Sequence, residues 1–250
     1  RAVLRLKGFL KNPENIYCLQ CDVRKYFESI DHNILMGLIK KKIADKKVLR
    51  VIKEIIDSSF DHKTPQKCQL LQKATGTESL TGVPLGNLTS QLFANIYLNE
   101  LDRFAKHKIK AKYYIRYMDD FLILGYNKKE FCKMKEEIKI FLLAILKLDL
   151  HPKKCNIFPV KTGIDFLGYR IFANYRLLRK STVRRFIKRT KHQQQKRHLL
   201  LGANGTEKAT GTERADGAEK FFQSIASWLS YAKFGNSWRL RESLKWLWEF

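Results

Sequence analysis

Three aspartates lie at the ends of apolar, strand-like segments, and their type and spacing suit them to metal-dependent chemistry. Asp119 and Asp120 are adjacent and separate two apolar runs in the segment YYIRYMDDFLIL. Asp22 interrupts a third apolar run, IYCLQCDV. A carboxylate within a buried strand is costly unless it faces a cleft, a cation or a metal. The adjacent pair, taken alone, would equally fit an ordinary hairpin turn, where aspartate is common.

Carboxylates on two neighbouring strands form a site that suits hard divalent cations. If Asp22 and Asp119 lie side by side, their repulsion raises their proton affinity unless a cation neutralises them. Mg²⁺ is commonly held by a few carboxylates together with substrate phosphates. Two such ions, about 3.5–4 Å apart, activate a 3′-hydroxyl and stabilise the leaving pyrophosphate. We therefore predict a site for two Mg²⁺ ions, with Mn²⁺ as a substitute, made by Asp22, Asp119 and Asp120.

The composition favours a polyanionic partner. The 250 residues carry a net charge of +25, with 49 Lys and Arg against 24 Asp and Glu, which disfavours an ordinary metabolic enzyme. Nucleic acid is the first candidate partner and an anionic membrane surface is the second. The longest apolar run, residues 140–146, is too short to span a bilayer, and basic residues interrupt the apolar N-terminus. We therefore expect an intracellular protein without a membrane partner.

The apolar periodicity predicts the elements that position these acids. Asp31 and Asp45 precede helical patterns, and an aspartate there can cap a helix by accepting its free amide protons. Residues 61–82 and 202–217 are polar and rich in turn formers, which predicts a loop or hairpin in the first segment and a loop in the second. Strands are predicted at 16–23, 113–117, 121–124 and 165–172, and helices at 89–107, 129–146 and 221–250.

Four motifs follow one another in an order that resembles the motif series of the reverse transcriptases. They are Asp22-x-x-x-x-Phe27, Gly86-x-x-x-Ser90, Tyr117-Met118-Asp119-Asp120 and, similar to the family's primer-grip hairpin, Phe166-Leu167-Gly168-Tyr169. The match covers about residues 15–175. Four ordered motifs are far more specific than any one of them.

The resemblance implies an α+β fold, the right-hand polymerase palm, in which helices back an antiparallel sheet. It predicts partial fingers and the palm over residues 1–180 and a helical thumb over residues 181–250. The family's fingers begin with motifs upstream of the first metal-binding acid, and we cannot match them to the residues before Asp22. We therefore expect either a fragment or reduced fingers.

The resemblance also assigns residues around the incoming nucleotide. It implies that the backbone carbonyl of Val23 binds a metal and that Phe27 is the aromatic gate that excludes a ribose 2′-hydroxyl. A core aromatic is the alternative for Phe27. Lys154 is expected near the leaving pyrophosphate as a general acid or a counter-charge, with Lys153 as second choice and a solvated basic loop as the alternative. Gly86 is expected to let the backbone approach the template or the nucleotide closely.

Contacts to primer and template are expected in three places. Tyr117 and Met118 flank the acids, where they either contact the primer or pack within the turn. The primer-grip motif, residues 166–169, is the second place. Lys and Arg recur from Arg176 to Arg197 without an acidic residue, and such a segment neutralises phosphates without reading sequence; a solvated basic face is the alternative. Within this segment we expect contacts from Arg184, Arg185, Lys188 and Arg189.

The segment VPLGNLTSQLFANIYLNELD resembles one group in particular, the reverse transcriptases of diversity-generating retroelements. Most reverse transcriptases carry Gln and Pro where this chain has Leu85 and Gln91, and the resemblance implies error-prone copying of template adenines. Leu85 removes a polar side chain from the predicted nucleotide pocket. Our hypothesis is that Leu85 constrains the incoming nucleotide less directionally than an amide does. Gln91 lacks the preorganisation that Pro brings to a first helical turn, but it can donate and accept hydrogen bonds.

The implied partners are a template RNA, a DNA or RNA primer, deoxynucleoside triphosphates and a small basic accessory protein of the retroelement. The resemblance also implies a cytoplasmic protein that is encoded by a bacterium or a phage. Another bacterial reverse transcriptase, of the retron, group II intron or phage-defence type, is the first alternative, and Leu85, Gln91 and the methionine of YMDD disfavour it. A non-catalytic RNA-binding protein on a polymerase scaffold is the second, and it would have no reason to hold clustered acids. A structural protein with coincidental acids is the third.

Overall fold

The computed structural model describes residues 1–10, 16–58, 80–84, 86–202 and 211–244. The chain divides into two compact units. The first unit comprises the described residues between 16 and 159. The second comprises most of helix α1 (Ala2–Phe9) and the described residues from Val160 onward. The boundary predicted at residue 180 falls inside the second unit, and the division into palm and thumb stays a prediction.

A four-stranded antiparallel sheet is the frame of the first unit. Strand β1 is interior, and its register places Leu19 opposite Ile123 and Asp22 opposite Asp120. The strands predicted at 16–23, 113–117 and 121–124 are confirmed to within one or two residues at their ends. The sheet has the order β2-β3-β1-β4 and consists of β1 (Tyr17–Asp22), β2 (Tyr113–Tyr117), β3 (Asp120–Gly125) and β4 (Asn156–Pro159).

Helices back this sheet, and two of them begin at the predicted caps. Asp31 accepts a hydrogen bond from the backbone N–H of Ile34 (3.0 Å), and Asp45 accepts one from that of Lys47 (2.7 Å). Most of the loop predicted at 61–82 lies outside the described residues. The helices are α2 (His32–Lys40), α3 (Lys46–Asp57), α4 (Leu88–Arg103), which continues into a π-helical turn (Phe104–Lys108), and α5 (Lys128–Leu146).

One hydrophobic core joins the sheet to α2, α4 and α5, and it contains the fully buried side chains of Leu19, Phe121 and Tyr97. The Tyr97 hydroxyl donates to the carbonyl of Leu146 (2.7 Å) and accepts from the N–H of Asp31 (3.3 Å). Its polar end is therefore satisfied inside the core, as buried polar groups require. The result is the α+β arrangement of antiparallel sheet and backing helices that the sequence predicts.

A small antiparallel sheet begins the second unit, and its first hairpin differs from the prediction. The single strand predicted at 165–172 is wrong, because Leu167 and Gly168 have φ angles of 50° and 83°. Two consecutive residues with positive φ are typical of a two-residue hairpin turn. The strands, in the order β5-β6-β7, are β5 (Ile164–Phe166), β6 (Tyr169–Ile171) and β7 (Arg176–Leu178).

Three helices follow, α6 (Lys180–Gly202), α7 (Gly211–Lys233) and α8 (Trp238–Ser243). The loop predicted at 202–217 is therefore too long, since α7 already begins at Gly211, and residues 203–210 lie outside the described part of the chain. Phe186 of α6 stacks on Trp228 of α7, with ring centroids 3.9 Å apart. No helix in the described ranges is both long and apolar enough to cross a bilayer.

Candidate active site

A tight turn presents the two adjacent aspartates. Met118 and Asp119 form the turn between β2 and β3, and Asp120 is the first residue of β3. Met118 has a φ of +56°, a left-handed conformation that costs energy in any residue other than glycine. On the neighbouring strand, Asp22 ends β1 directly opposite Asp120. The structure thus brings the three predicted acids together at one end of two adjacent strands.

The acids repel one another in a partly buried setting. Burial raises the pKa of Asp119, and the charge of Asp22 raises it further. Burial also raises the pKa of Asp120 to about 6, with contributions from Asp22 and Asp119. A hydrogen bond from Gln20 Nε2 to Asp120 Oδ1 (3.2 Å) acts in the opposite direction. Added positive charge would therefore stabilise the ionised form of this site.

One positive charge already lies beside these acids. Lys154 Nζ is 2.5 Å from Asp22 Oδ2, and this contact raises the pKa of the lysine, with smaller contributions from Asp119 and Asp120. The Lys154 side chain is 60% exposed and that of Asp22 only 17%, so the lysine reaches the acid from the solvent side. Of the two candidate lysines, the structure brings Lys154 to the acids.

The donor set has the right chemistry for a divalent cation, because carboxylate oxygens are the ligands that hard cations prefer. Within the described residues, however, no three His, Cys, Asp or Glu side chains converge as a ready metal-binding group. One oxygen of Asp22 is already paired with the ammonium group of Lys154. The residues therefore fit a divalent cation by type and by strand position, and the lysine now supplies part of the positive charge.

Val23 is placed so that its carbonyl can face the acids. It forms a bridge with Leu150 that is held by hydrogen bonds on either side, from Arg24 N–H to Asp149 O (2.8 Å) and from His151 N–H to Asp22 O (2.8 Å). In such an antiparallel pair, the bridging residue directs its own N–H and C=O away from the partner segment. The Val23 carbonyl accordingly points towards the side of β1 where β3 lies.

Phe27, the predicted aromatic gate, lies in a short 3₁₀-helix (Tyr26–Ser29) shortly after β1. It is half-buried, packs against the core of the first unit and meets the Tyr26 ring edge-on at 5.6 Å. Its carbonyl accepts a hydrogen bond from the N–H of Val83 (3.0 Å). Both interpretations, gate and core aromatic, are compatible with this position.

The segment that leads into α4 holds the other nucleotide-pocket candidates. Leu85 lies outside the described residues. Gly86 is exposed and has a φ of +99°, a conformation that favours glycine. Gln91 is exposed on the first turn of α4, where its backbone carbonyl accepts a hydrogen bond from Asn95 Nδ2 (2.9 Å). An exposed amide at position 91 is free of the core and accessible to a ligand.

The two residues before the acids differ in exposure. Tyr117, on the outer strand β2, is 52% exposed, so its ring is accessible to a primer. Met118 is half-buried, and its sulfur lies 4.0 Å from Asn95 Nδ2. Tyr117 is therefore the better placed of the two for the contact that the sequence predicts.

Two charged residues near the turn were missed by the sequence analysis. Arg116 of β2 forms a bidentate ion pair with Asp102 of α4, with N–O distances of 2.7 and 2.8 Å. Arg116 Nη1 also donates to the carbonyl of Met118 (3.0 Å). A charged residue inside an apolar strand implies a paired partner, and this signal applies to Arg116 as it does to Asp22. The identity of the partner, Asp102, has no signal in the local sequence.

The predicted primer grip in the second unit needs a correction. The side chains of Phe166 and Tyr169 are 0% and 4% exposed, so they support the hairpin from within and do not face a primer. Leu167 and Gly168 form the turn itself, and the Tyr231 hydroxyl donates to the Leu167 carbonyl (3.2 Å). Contact with a primer at this motif would therefore come from the turn alone.

The predicted basic contacts lie along one side of α6. Phe186 and Thr190 of the same helix are buried, so the helix has a buried side and a charged side. Arg189 also hydrogen bonds to the hydroxyl of Ser224 in α7. The basic face consists of four exposed side chains: Arg184, Arg185, Lys188 and Arg189.

Several curated proteins are similar to this chain. The group II intron-encoded protein LtrA of Lactococcus lactis subsp. cremoris is 26% identical, and the match covers 66% of this chain and 35% of LtrA. Protein YkfC of Escherichia coli K12 is 25% identical over 62% of this chain and 46% of YkfC. The putative COX1/OXI3 intron 2 protein of Saccharomyces cerevisiae is 21% identical over 68% of this chain and 25% of that protein. The chain thus spans less than half the length of each.

Two solved structures share the fold. A telomerase from Candida albicans, in a complex with the TWJ fragment of telomeric RNA, has a TM-score of 0.51 at 13% identity and covers 71% of this chain and 33% of its own. A telomerase from Candida tropicalis, also in a complex with the TWJ fragment of telomeric RNA, has a TM-score of 0.50 at 14% identity. The match covers 97% of this chain and 44% of the telomerase chain. At such low identity the likeness concerns the fold alone, and it agrees with the palm arrangement of the first unit.

The family model for reverse transcriptase (RNA-dependent DNA polymerase) matches residues 2–171. This range is more than half of the chain. It includes β1, the Met118–Asp119 turn and Lys154, which are the parts that the geometry brings together. The chain therefore belongs to the reverse transcriptase family.

Proposed function

We propose that this chain carries the catalytic centre of an RNA-directed DNA polymerase, which copies a template RNA into cDNA by adding deoxynucleotides to a primer. The main support is the meeting of Asp22, Asp119 and Asp120 at one end of β1 and β3, with Lys154 on Asp22. Three carboxylates repel a polyanion, so a protein that only binds RNA has no use for them. A non-catalytic RNA-binding role is therefore disfavoured.

Reverse transcriptases generally use divalent metal ions. For this chain we propose two Mg²⁺ ions, replaceable by Mn²⁺, with Asp22, Asp119 and the backbone carbonyl of Val23 as the principal ligands. Such ions, when bound, favour ionisation of a primer 3′-hydroxyl and neutralise the leaving pyrophosphate. Asp120, which accepts a hydrogen bond from Gln20, is proposed as the peripheral acid.

Other residues of the chain are proposed to donate a proton, to select the sugar and to line the nucleotide pocket. Lys154 Nζ lies at the carboxylates, where it can give a proton or a counter-charge to the leaving pyrophosphate. The Phe27 ring, shortly after Asp22 in the chain, would exclude a ribose 2′-hydroxyl by steric contact. Gly86 and Gln91 lie on the segment that begins α4 and would line the nucleotide pocket. Each of these groups orients the nucleotide or moves a proton without changing covalently itself.

Three groups of residues are proposed to contact the primer and the template. The four exposed cations of α6 would neutralise phosphates without reading sequence. Tyr117 and the Leu167–Gly168 turn would contact the primer strand. The partners are then a template RNA, a DNA or RNA primer, deoxynucleoside triphosphates and a small basic accessory protein, in a bacterial cytoplasm.

Within the family, we place the chain among the reverse transcriptases of diversity-generating retroelements, because Leu85 and Gln91 match that group. The intron-encoded relatives support the alternative, a group II intron type. Sequencing cDNA made on a defined RNA separates the two. The retroelement type predicts errors concentrated opposite template adenines and reduced by Leu85→Gln. Errors spread evenly over the four bases, or unchanged in Leu85→Gln, favour the intron type.

A primer-extension assay on RNA, with deoxynucleotides and Mg²⁺, tests the proposed activity. Asp119→Asn removes a charge while keeping the shape of the side chain, and we expect it to lower activity on the order of 10³-fold or more. Glu54→Gln removes a carboxylate from the exposed face of α3 and is the matched control, which should keep the parental rate. Equal activity in the parent and in Asp119→Asn would refute the metal assignment.

A further inference from the structure

Arg116 is the least exposed partner of any ion pair involving arginine in the described residues, with its side chain 10% exposed, and its guanidinium group has a defined orientation. Its Nε and Nη2 donate to the two oxygens of Asp102 in α4 (2.8 and 2.7 Å). The Tyr114 hydroxyl donates to the same carboxylate (2.7 Å). A bidentate pair fixes the plane of a guanidinium as well as its position. The remaining nitrogen, Nη1, must therefore point in one direction.

That direction is the turn that carries Asp119. Arg116 Nη1 donates to the carbonyl of Met118 (3.0 Å) and to Asn95 Oδ1 of α4 (3.2 Å). Met118 is the residue with the left-handed φ of +56°. A non-glycine residue persists in that conformation only when its surroundings hold it there. The bond from Arg116 is such a restraint, and it acts on the peptide group that links Met118 to Asp119.

We propose that Arg116 is a positioning residue that holds the Met118–Asp119 turn so that Asp119 faces its metal, with Asp102 as the anchor on α4. This inference rests on the proposed role of Asp119 as a metal ligand. It also links the turn to the first half of α4, since Asn95 contacts both Arg116 Nη1 and the Gln91 carbonyl. The nucleotide-pocket side of α4 and the metal-binding turn are thereby held in one hydrogen-bonded network.

The alternative is that the Arg116–Asp102 pair only ties β2 to α4 and matters for folding. The two roles differ in what a conservative change does. Arg116→Lys keeps the positive charge, but a single ammonium group cannot make the bidentate pair and reach Met118 at once. A purely structural pair would lose stability and leave the metal dependence unchanged. A positioning residue would alter the metal dependence at temperatures where the variant is fully folded.

The first test is the Mg²⁺ dependence of primer extension in Arg116→Lys. We expect kcat to fall by about 10- to 100-fold and the Mg²⁺ concentration for half-maximal activity to rise by a similar factor, as is usual when the support of a metal ligand is removed. The KM for the nucleotide should change less. Asp102→Asn keeps one acceptor for Arg116 and should show the same pattern more weakly, which covers the case that Arg116→Lys folds poorly.

The matched control is Arg103→Lys, because Arg103 is also on α4 and also forms an ion pair, with Glu100 at 3.4 Å, but lies on the exposed side. It should retain the parental Mg²⁺ profile. If Arg116→Lys and Asp102→Asn, both folded, show the parental Mg²⁺ profile, the positioning role is overturned.

A second measurement does not need catalysis. Amide hydrogen exchange at Met118, Asp119 and Asp120, in the absence of substrate, should be at least severalfold faster in Arg116→Lys than in the parent or in Arg103→Lys. Unchanged exchange at the turn overturns the inference. If instead the parent has no Mg²⁺-dependent activity, the proposed function fails, and the exchange data still decide whether Arg116 holds the turn.

Discussion

The acidic cluster of the first unit and the basic face of α6 arrange their charges in opposite ways. The acids are few and partly buried, and two of them have a defined partner, Lys154 for Asp22 and Gln20 for Asp120. The four cations of the basic face are exposed and lie along one side of the helix. The first arrangement depends on where each atom lies. The second depends mainly on how many charges face the ligand.

This difference has a physical basis in the task of each region. A metal site works only when its ligands share one small volume, and there burial, followed by the repulsion from the neighbouring acids, raises the pKa of Asp119 and Asp120. Phosphate neutralisation is long-ranged, tolerant of geometry and sensitive to salt. We therefore expect single substitutions to have large effects in the acidic cluster and small, additive effects on α6.

Lys154 provides the sharpest test of the expectation that a single substitution at the acidic cluster has a large effect. Replacing it in Lys154→Met should lower kcat by about 10²-fold, because a positioned proton donor or counter-charge is lost. Unlike Asp119→Asn, it should not raise the Mg²⁺ requirement, since Asp22 loses a competing cation. The parent's rate should fall at alkaline pH as the lysine loses its proton. The variant should not show this decrease.

The control is Lys139→Met, which removes an exposed lysine from α5. Primer extension as a function of pH and of Mg²⁺ provides all three readouts. A Lys154→Met variant with parental kcat would reduce the lysine to a solvated basic residue. A raised Mg²⁺ requirement would instead make the lysine a support for the metal site.

The basic face of α6 tests the expectation that substitutions there have small, additive effects. A single change such as Arg185→Gln should weaken binding to an RNA–DNA duplex only a few-fold. Changing all four residues should weaken it about 10- to 100-fold at 0.1 M salt and flatten the salt dependence of binding by about one unit of slope per residue. kcat at saturating duplex should change little. The four residues are Arg184, Arg185, Lys188 and Arg189.

The control for this change removes equal charge elsewhere, from exposed α3, as Lys46→Gln, Lys47→Gln, Arg50→Gln and Lys53→Gln. Binding should stay within a few-fold of the parent. If both sets weaken binding equally, only the net charge of the protein matters. If one residue of α6 accounts for most of the lost duplex binding, that residue acts through its position, as the acids do, and not only through its charge.

The sequence predicted the features that depend on residues close together in the chain, namely helix caps and strands. Asp31 and Asp45 cap helices through bonds to residues two or three positions along the chain. The apolar runs on either side of Asp119–Asp120 could only be strands joined by a short turn. The palm elements were therefore accessible from the sequence, and the motif order supplied the pairing of Asp22 with the turn.

What the sequence did not predict depends on tertiary contacts. Arg116 stands out in its strand, but nothing near it identifies Asp102, which lies on a separate helix. Phe166 and Tyr169 resemble a primer-facing motif, yet packing in the second unit buries both. The single strand predicted at 165–172 misses the turn at Leu167 and Gly168, where the positive φ angles follow from hairpin geometry. These failures arise where a side chain's surroundings come from distant parts of the chain.

The smallest expected effect concerns stability, and it tests whether the acidic cluster is under electrostatic strain. The pKa of Asp120 is raised from its usual value near 3.8 to about 6 in the folded chain. The native state therefore binds more protons than the unfolded chain between pH 4 and 6, so the free energy of unfolding falls as pH rises through that window. Asp120→Asn removes this loss, and its side-chain oxygen can still accept from Gln20.

In metal-free buffer, Asp120→Asn should be more stable than the parent at pH 7 by about 1–2 kcal/mol, a figure reduced from the full shift because Asp22 and Asp119 share the repulsion. The difference should vanish near pH 4, and adding Mg²⁺ at pH 7 should stabilise the parent more than the variant. Urea unfolding at pH 4 and pH 7 measures the difference in free energy of unfolding between variant and parent. For the control, Glu54→Gln, this difference should be the same at both pH values. A variant that is less stable than the parent at pH 7 would mean that Asp120 is held by contacts stronger than the repulsion, and the acidic cluster would then be a structural feature in the same sense as the caps at Asp31 and Asp45.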